Sequence, residues 1–228
     1  RSPPTRRSAT HCREPAPLCE SSRSDLVPPA MSFFAWLRRE RPALQGKRVS
    51  LRLPVRGDYR EWAALRGDSR SFLERWEPRW ATDELSRSAW RQRMRRYRED
   101  FSAGTAIAFL IFDNATGSLV GGITLGHIRH GVAQSGQIGY WMGERHAGKG
   151  FMSEAIALVA SYAFDTLRLH RIEAACIPDN ARSIRVLEKA GFRREGLLRS
   201  YLRINGSWQD HYLYALIAGD HRGGTTRG

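Results

Sequence analysis

Three glycines and two fixed cations precede an apolar run in "GERHAGKGFMSEA", residues 143–155, and no acidic residue falls between Arg145 and Ser153. That combination suits an anion. The first turn of a helix leaves backbone N–H groups without partners and carries about half a positive charge, so a phosphate there satisfies donors and dipole together. Gly148 and Gly150 let the main chain approach a ligand closely, and Arg145 and Lys149 add charge. Gly143 to Lys149 also fits the front of a G-x-x-x-x-G-K loop, yet Gly150 stands where a Ser or Thr would have to hold magnesium. A G-x-G-x-x-G dinucleotide fingerprint fails too, because Ser153 takes the place of its last glycine. The competing reading is a glycine-softened turn that binds nothing.

Other reactive side chains carry less pattern. His127 and His130 lie three apart at a strand end with no further His or Cys set at ligand spacing, so no metal site is expected. Cys12, Cys19 and Cys176 are an odd number and imply no disulfide framework; Cys176 reads as a small buried hydrophobe.

The elements that must position the glycine turn follow from periodicity. "QIGYWM" belongs to a strand, Gly136 to Met142, that runs straight into the turn. Beyond it Met152, Ile156, Val159 and Ala163 recur at helical spacing, which predicts a helix over Gly150 to Leu167. A strand from His170 to Ile177 and a helix from Asn180 to Ala190, closed by Gly191, come next. Strands Phe192 to Ile204 and Ser207 to Ile217 flank Asn205-Gly206, a strong hairpin signal. Upstream, Lys47 to Pro54 alternates as a half-buried strand, and Thr105 to Phe112 and Ser118 to Ile128 are strands joined by the turn residues "DNATG". Between them Asp58 with Glu61 resembles a capping box for a helix through Leu65, a second helical stretch covers Ser71 to Trp76, and Thr82 can cap a helix reaching about Phe101. That last helix carries Arg87, Arg91, Arg95 and Arg98 as a basic ridge on its exposed face. Trp62, Trp76, Trp80 and Trp90 fall among these N-terminal helices and are expected to pack core, with one or two left to line a groove.

At 228 residues, with 41% hydrophobic and 26% charged residues, the chain has the proportions of one soluble globular domain. Its longest apolar run, Ala106 to Phe112, is far too short to span a bilayer, and a cytoplasmic protein is the default. Residues 1–30, rich in Pro, Ser and Arg, read as a disordered N-terminal extension, residues 31–46 as a lead segment, 47–218 as the folded domain, and 219–228 as a disordered tail. A formal net charge of +14 predicts attraction to acidic partners, a ribosome or RNA among them, or else a solvated basic surface.

Arg145-x-x-Gly148-x-Gly150 after "QIGYWM", followed by "RIEAACIPDNARSIRVLEKAGFRREG", resembles the GCN5-related N-acetyltransferases (GNAT). The likeness covers roughly Val49 to Leu216. Within that superfamily "LHRIEAACIPDNARSIRVLEKAGF" and "INGSWQDHYLYAL" are most similar to the RimJ/RimL branch of ribosomal-protein-alanine N-acetyltransferases. The resemblance implies an α/β fold, a mixed and mostly antiparallel twisted sheet of six or seven strands with helices on both faces and a central β-α-β crossover. It also implies acetyl-CoA as co-substrate, no metal, and the N-terminal amine of a ribosomal protein as acceptor.

By the same resemblance Arg145, His146, Ala147, Gly148, Lys149 and Gly150 hold the coenzyme A pyrophosphate, and the backbone of Tyr140, Trp141 and Met142 lies against the pantetheine and acetyl group. Asn180 would hydrogen-bond the pantetheine arm, with helix capping as its alternative role, and Ser183 would face the thioester sulfur. Ser183, or else Tyr201, would protonate the leaving thiolate. Many relatives carry glutamate where this chain has Gln137, which cannot serve as a base; Glu173 and Asp210 are candidates, and Glu173 is expected to be an ion-pair partner of an arginine instead. A small-molecule amine as acceptor, or a catalytically silent module docking on RNA, are the alternatives.

Overall fold

The structure, a computed structural model, describes residues 41–224. The expected disordered segment 1–30, Cys12, Cys19 and residues 225–228 lie outside the described residues. In chain order the elements are β1 (Ala43–Gln45), β2 (Val49–Arg52), α1 (Tyr59–Asp68), a single turn α2 (Arg70–Leu73), α3 (Arg87–Ala103), β3 (Ile107–Asp113), β4 (Leu119–Arg129) and β5 (Ser135–Met142). Then follow α4 (Phe151–Ser161), prolonged by a π-helical turn at Tyr162–Thr166, β6 (Arg171–Cys176), α5 (Ala181–Lys189), β7 (Arg193–Ile204), β8 (Ser207–Ile217) and α6 (Ala218–Gly224).

The strands form one sheet in the order β1-β2-β3-β4-β5-β6-β8-β7, antiparallel throughout except for the β5/β6 pair, where α4 makes the crossover. There are eight strands among the described residues rather than six or seven. The addition is β1, three residues paired to β2, too short to show a period and inside the stretch read as a lead segment. At the other end residues 218–224 are helical where a disordered tail was expected from 219.

Side-chain alternation explains why helices cover both faces. On β3, Ile107, Phe109 and Ile111 face the larger core with Ala155, Ile156 and Val159 of α4, while Leu110 and Phe112 face a second core with Trp62 and Leu65 of α1 and Trp90 and Met94 of α3. Trp62 and Trp90 stack there with ring centroids 4.8 Å apart. Two caps differ from the sequence reading. The Asp58 carboxylate is taken by Arg52, at 2.7 and 2.9 Å, and by the Val55 N–H, while Glu61 reaches across to the Leu119 N–H at 2.6 Å. Likewise α3 starts later than Thr82, because Ser86 is its cap and accepts the Ala89 N–H at 3.1 Å. The exposed ridge of Arg87, Arg91, Arg95 and Arg98 on α3 is as expected. Among the described residues no helix is long and apolar enough to cross a membrane.

Helix α5 hangs on one fully buried residue, Leu187 at 0% exposure. Leu187→Ala is expected to cost about 2–5 kcal/mol, read as a lower denaturant midpoint, while the exposed Arg185→Ala stays within about 0.5 kcal/mol of the parent.

Candidate active site

Parallel pairing between β5 and β6 runs only from Ser135↔Arg171 to Ile138↔Ala174, although β5 continues to Met142 and β6 to Cys176. On its other edge β5 stays paired with β4 as far as Gly121↔Met142. The two parallel strands therefore splay, and the edge of residues 139–142 facing β6 has no strand partner among the described residues. Its backbone donors and acceptors are left to water or to a ligand. Gly122 on β4 makes room for this edge: a Cβ there would sit 2.5 Å from the Trp141 indole nitrogen.

The chain leaves the splayed edge through a 3-10 turn, Glu144–His146, and reaches α4 by way of Gly148 and Gly150 at φ of +78° and +84°. Both glycines occupy a left-handed conformation that a side chain would strain. No side chain caps the start of α4, so its first N–H groups remain available as an anion site. Arg145 is 59% exposed and leans on His146, donating Nε–H to its Nε2 at 3.0 Å. Burial first, then the charges of Arg145 and Lys149, hold His146 below the ordinary imidazole range, so it accepts that bond as the neutral ring. A third cation comes from far upstream. Arg48, in the β1–β2 connection, lies over the Phe151 ring at 4.8 Å, with a guanidinium nitrogen 3.2 Å from where a Cβ on Gly150 would stand. Its backbone N–H is anchored to the Glu154 carboxylate at 2.8 Å. Arg48 was not singled out in the sequence, where no spacing links it to the turn.

Across the splay, Asn180 Oδ1 accepts the Ser183 N–H at 3.1 Å and caps α5. The Ser183 hydroxyl in turn bonds the Tyr140 hydroxyl at 2.8 Å. Buried Cys176 adjoins the same serine, and burial pushes its thiol up to about 11. Tyr140 is likewise raised well above the ordinary phenol value, burial being the larger cause. Ser183, Tyr140 and Cys176 thus form a chain of groups that keep their protons at neutral pH.

Tyr201 lies elsewhere. Its hydroxyl accepts from Gln137 Nε2 at 3.4 Å, and Gln137 is the register partner of Glu173. Glu173 accepts Arg171 Nε–H at 2.8 Å, and Arg171 also grips Glu195. Asp210 holds the Ser200 N–H at 2.7 Å in the β7 bulge just before Tyr201, so it shapes the strand. Gln137, Glu173 and Tyr201 line a cavity of about 1400 Å³ that also touches Tyr140 and Trp141. No residue of 143–150 lines it, so turn and cavity meet only at the splayed edge.

One wall of this cavity is a caged ion pair. Arg66, 5% exposed, lies over the rings of Trp80, Trp141 and Trp62 at 4.5, 5.0 and 5.7 Å and holds Glu77 through two bonds of 2.6 and 3.2 Å. Trp80 donates its indole N–H to Glu77 at 2.8 Å, and the β7–β8 hairpin is tied on by the Asn205 N–H to the Glu77 carbonyl at 3.0 Å. In the sequence Glu77 is only the residue that follows the helical stretch ending at Trp76. Trp76 is half-buried, outside the cavity.

A profile of the acetyltransferase (GNAT) domain matches residues 48–193. A probable N-acetyltransferase of Bacillus subtilis, YjcK, is 39% identical over 177 residues, 78% of this chain and 98% of that protein. The [ribosomal protein uS5]-alanine N-acetyltransferase of Escherichia coli is 33% identical over 173 residues, 76% of this chain and 89% of the enzyme. Among solved structures, Mycobacterium smegmatis RimJ in complex with CoA-disulfide superposes with a TM-score of 0.72 at 35% identity, covering 75% of this chain and 82% of that one.

Coenzyme A as a diphosphate probe is expected to bind on the order of a hundredfold more weakly to Arg145→Glu and about tenfold more weakly to Arg48→Ala, by calorimetry. Both side chains are exposed, so the unfolding midpoint should not move. Unchanged affinity in both variants would remove the turn from the site.

Proposed function

The chain belongs to the GNAT acetyltransferase family, and on that premise we propose that it transfers the acetyl group of acetyl-CoA to the N-terminal α-amine of a protein, foremost an alanine of a ribosomal protein in the cytoplasm. The chain is an acyltransferase of the N-acetyltransferase type, and its relatives and structural neighbours are RimJ/RimL-like. The co-substrate fits the residues present. The uncapped start of α4 with Arg145, Lys149 and Arg48 would take the diphosphate, the unpaired edge at 139–142 the pantetheine amides, and the Asn180 side-chain N–H groups a pantetheine carbonyl.

Chemistry then falls to few groups. An α-amine has a reference pKa near ~7.8 against ~10.4 for lysine, so at neutral pH a fair share is already the neutral nucleophile and a weak base suffices. Main-chain N–H groups of the splayed edge polarise the thioester carbonyl as the amine attacks, an interaction typically worth a hundredfold or more in rate. Ser183, backed by the Tyr140 hydroxyl, donates the proton that the departing thiolate takes up. Gln137 cannot collect the amine's proton; Glu173, beside Arg171 on the cavity wall, can take it through water. Tyr201 and Gln137 then position the acceptor.

The observation that carries this reading is the cavity: at about 1400 Å³ it exceeds the roughly 300–1,000 Å³ usual for small ligands, and it reaches the splayed edge at Tyr140 and Trp141 without a residue of the turn in its lining. With the acetyl arm against the edge at 139–142, the rest of such a space suits a peptide end better than a small amine. Contact with the ribosome belongs to the same reading, through the exposed arginine ridge of α3.

Incubation with acetyl-CoA and a thiol indicator should show release with an Ala-starting peptide and little with spermine or without acceptor. Release with spermine alone would transfer the reading to small amines; silence with every amine, alongside salt-sensitive RNA binding, would make this a docking module. In the active case kcat/KM should rise with pH as the amine loses its proton through about pH 8 and then level off, because Tyr140 and Cys176 keep theirs to about pH 10 or beyond.

A further inference from the structure

The charged side chains of the cavity wall are not evenly matched. Its carboxylates are Glu77, Glu84, Asp100 and Glu173. Glu77 is clamped by Arg66 and Glu84 by Arg93, while Glu173 shares Arg171 with Glu195, so three of the four already have an arginine against them. The Nε–H groups of Arg66 and Arg93 remain buried without an acceptor among the described residues. Three further arginines line the cavity, Arg79, Arg96 and Arg129, and all three are exposed. None of them has an ion pair among the described residues; Arg96 only lies over the Tyr97 ring at 5.9 Å. They come from the loop after Glu77, from α3 and from the end of β4, and the fold alone brings them to the wall of one cavity. Against them stands Asp100, the one wall carboxylate without an arginine.

We propose that this enzyme selects N-termini whose following residues are acidic, the Arg79, Arg96 and Arg129 side chains receiving the carboxylates while the amine goes inward to Tyr140 and Trp141. The inference rests on the reading above, that a protein N-terminus enters this cavity. Unpaired cations on a cavity wall raise the local concentration of anionic chains and repel cationic ones, an effect on encounter and register that salt screens. Lysine- or arginine-rich N-termini and polyamines are disfavoured on the same ground. The negative charges already present do not reverse this, because their arginine partners hold them in fixed ion pairs.

The test is a set of Ala-starting peptides continued by Asp/Glu, Ser/Gly or Lys/Arg, assayed with acetyl-CoA at low and high ionic strength. The acidic peptide should exceed the basic one in kcat/KM on the order of tenfold at low salt, with the gap closing as salt rises. In the combined variant Arg79→Glu, Arg96→Glu and Arg129→Glu the order should reverse, while acetyl-CoA affinity and the unfolding midpoint match the parent. Should the combined variant fold poorly, Arg79→Glu alone, in a loop, should still narrow the gap. Equal acetylation of the three peptides, preference for the basic one, or a preference that survives both variants would overturn the proposal. Acetylation of none of them would instead bring down the N-terminal acceptor reading, and this inference with it.

Discussion

A parallel strand pair that stops short is the constraint on which the rest of the molecule depends. β5 and β6 bond through four register pairs and then part, although both strands go on. Main-chain N–H and C=O groups are rarely left unpaired in a fold, because each buried and unmet group costs about 1–3 kcal/mol. The edge survives because β4 holds β5 straight from its other side and because both faces of the sheet are packed, by α4 on one and by α1 and α3 on the other. What the open edge requires is a ligand or water with amide-like groups. What it supplies is a row of backbone donors fixed before any ligand arrives, and such preorganisation is the form in which backbone groups aid acyl transfer.

Two sites converge on this wedge from opposite sides. At the carboxyl end of β5 the chain turns through positive-φ glycines into α4, so the positive end of the helix dipole and its free N–H groups sit beside the wedge. Arg145 and Lys149 are solvated there, and solvated charges act weakly on their own; the geometry comes from the main chain and from Arg48, which is seated on Phe151. At the carboxyl end of β6, α5 presents Ser183 toward Tyr140, so the proton-bearing hydroxyls lie on the far lip. Both lips belong to strand ends, where α/β sheets commonly place their ligands.

The large cavity is built differently, from side chains. Arg66 stands nearly dry among three indoles with the part-exposed Glu77 against it, and loss of Glu77 would leave a buried charge without compensation. That ion pair joins α1, the loop before α3, the Trp141 end of β5 and the β7–β8 hairpin into one wall.

Much of this was legible in the chain itself. The period of α4, the left-handed glycines of the turn, the Asn205-Gly206 hairpin and the alternation of the long strands are consequences of a few neighbouring residues, and each appears where its local chemistry puts it. The Asn180 cap was readable on the same ground. Less legible were features whose partners lie far apart: Glu61 looked like a capping residue and instead bonds Leu119, Thr82 yielded the α3 cap to Ser86, and β1 was too short to leave a pattern. Sequence alone thus determined that a helix would begin at a flexible, cationic turn after a strand, because turn geometry, dipole and helical period are decided within one or two turns of chain. Only tertiary structure decided that β5 and β6 part after Ile138, that Arg48 reaches Gly150, and which carboxylates of the wall are already spent on arginines. Those outcomes depend on distances between segments remote in the chain, and no local preference encodes them.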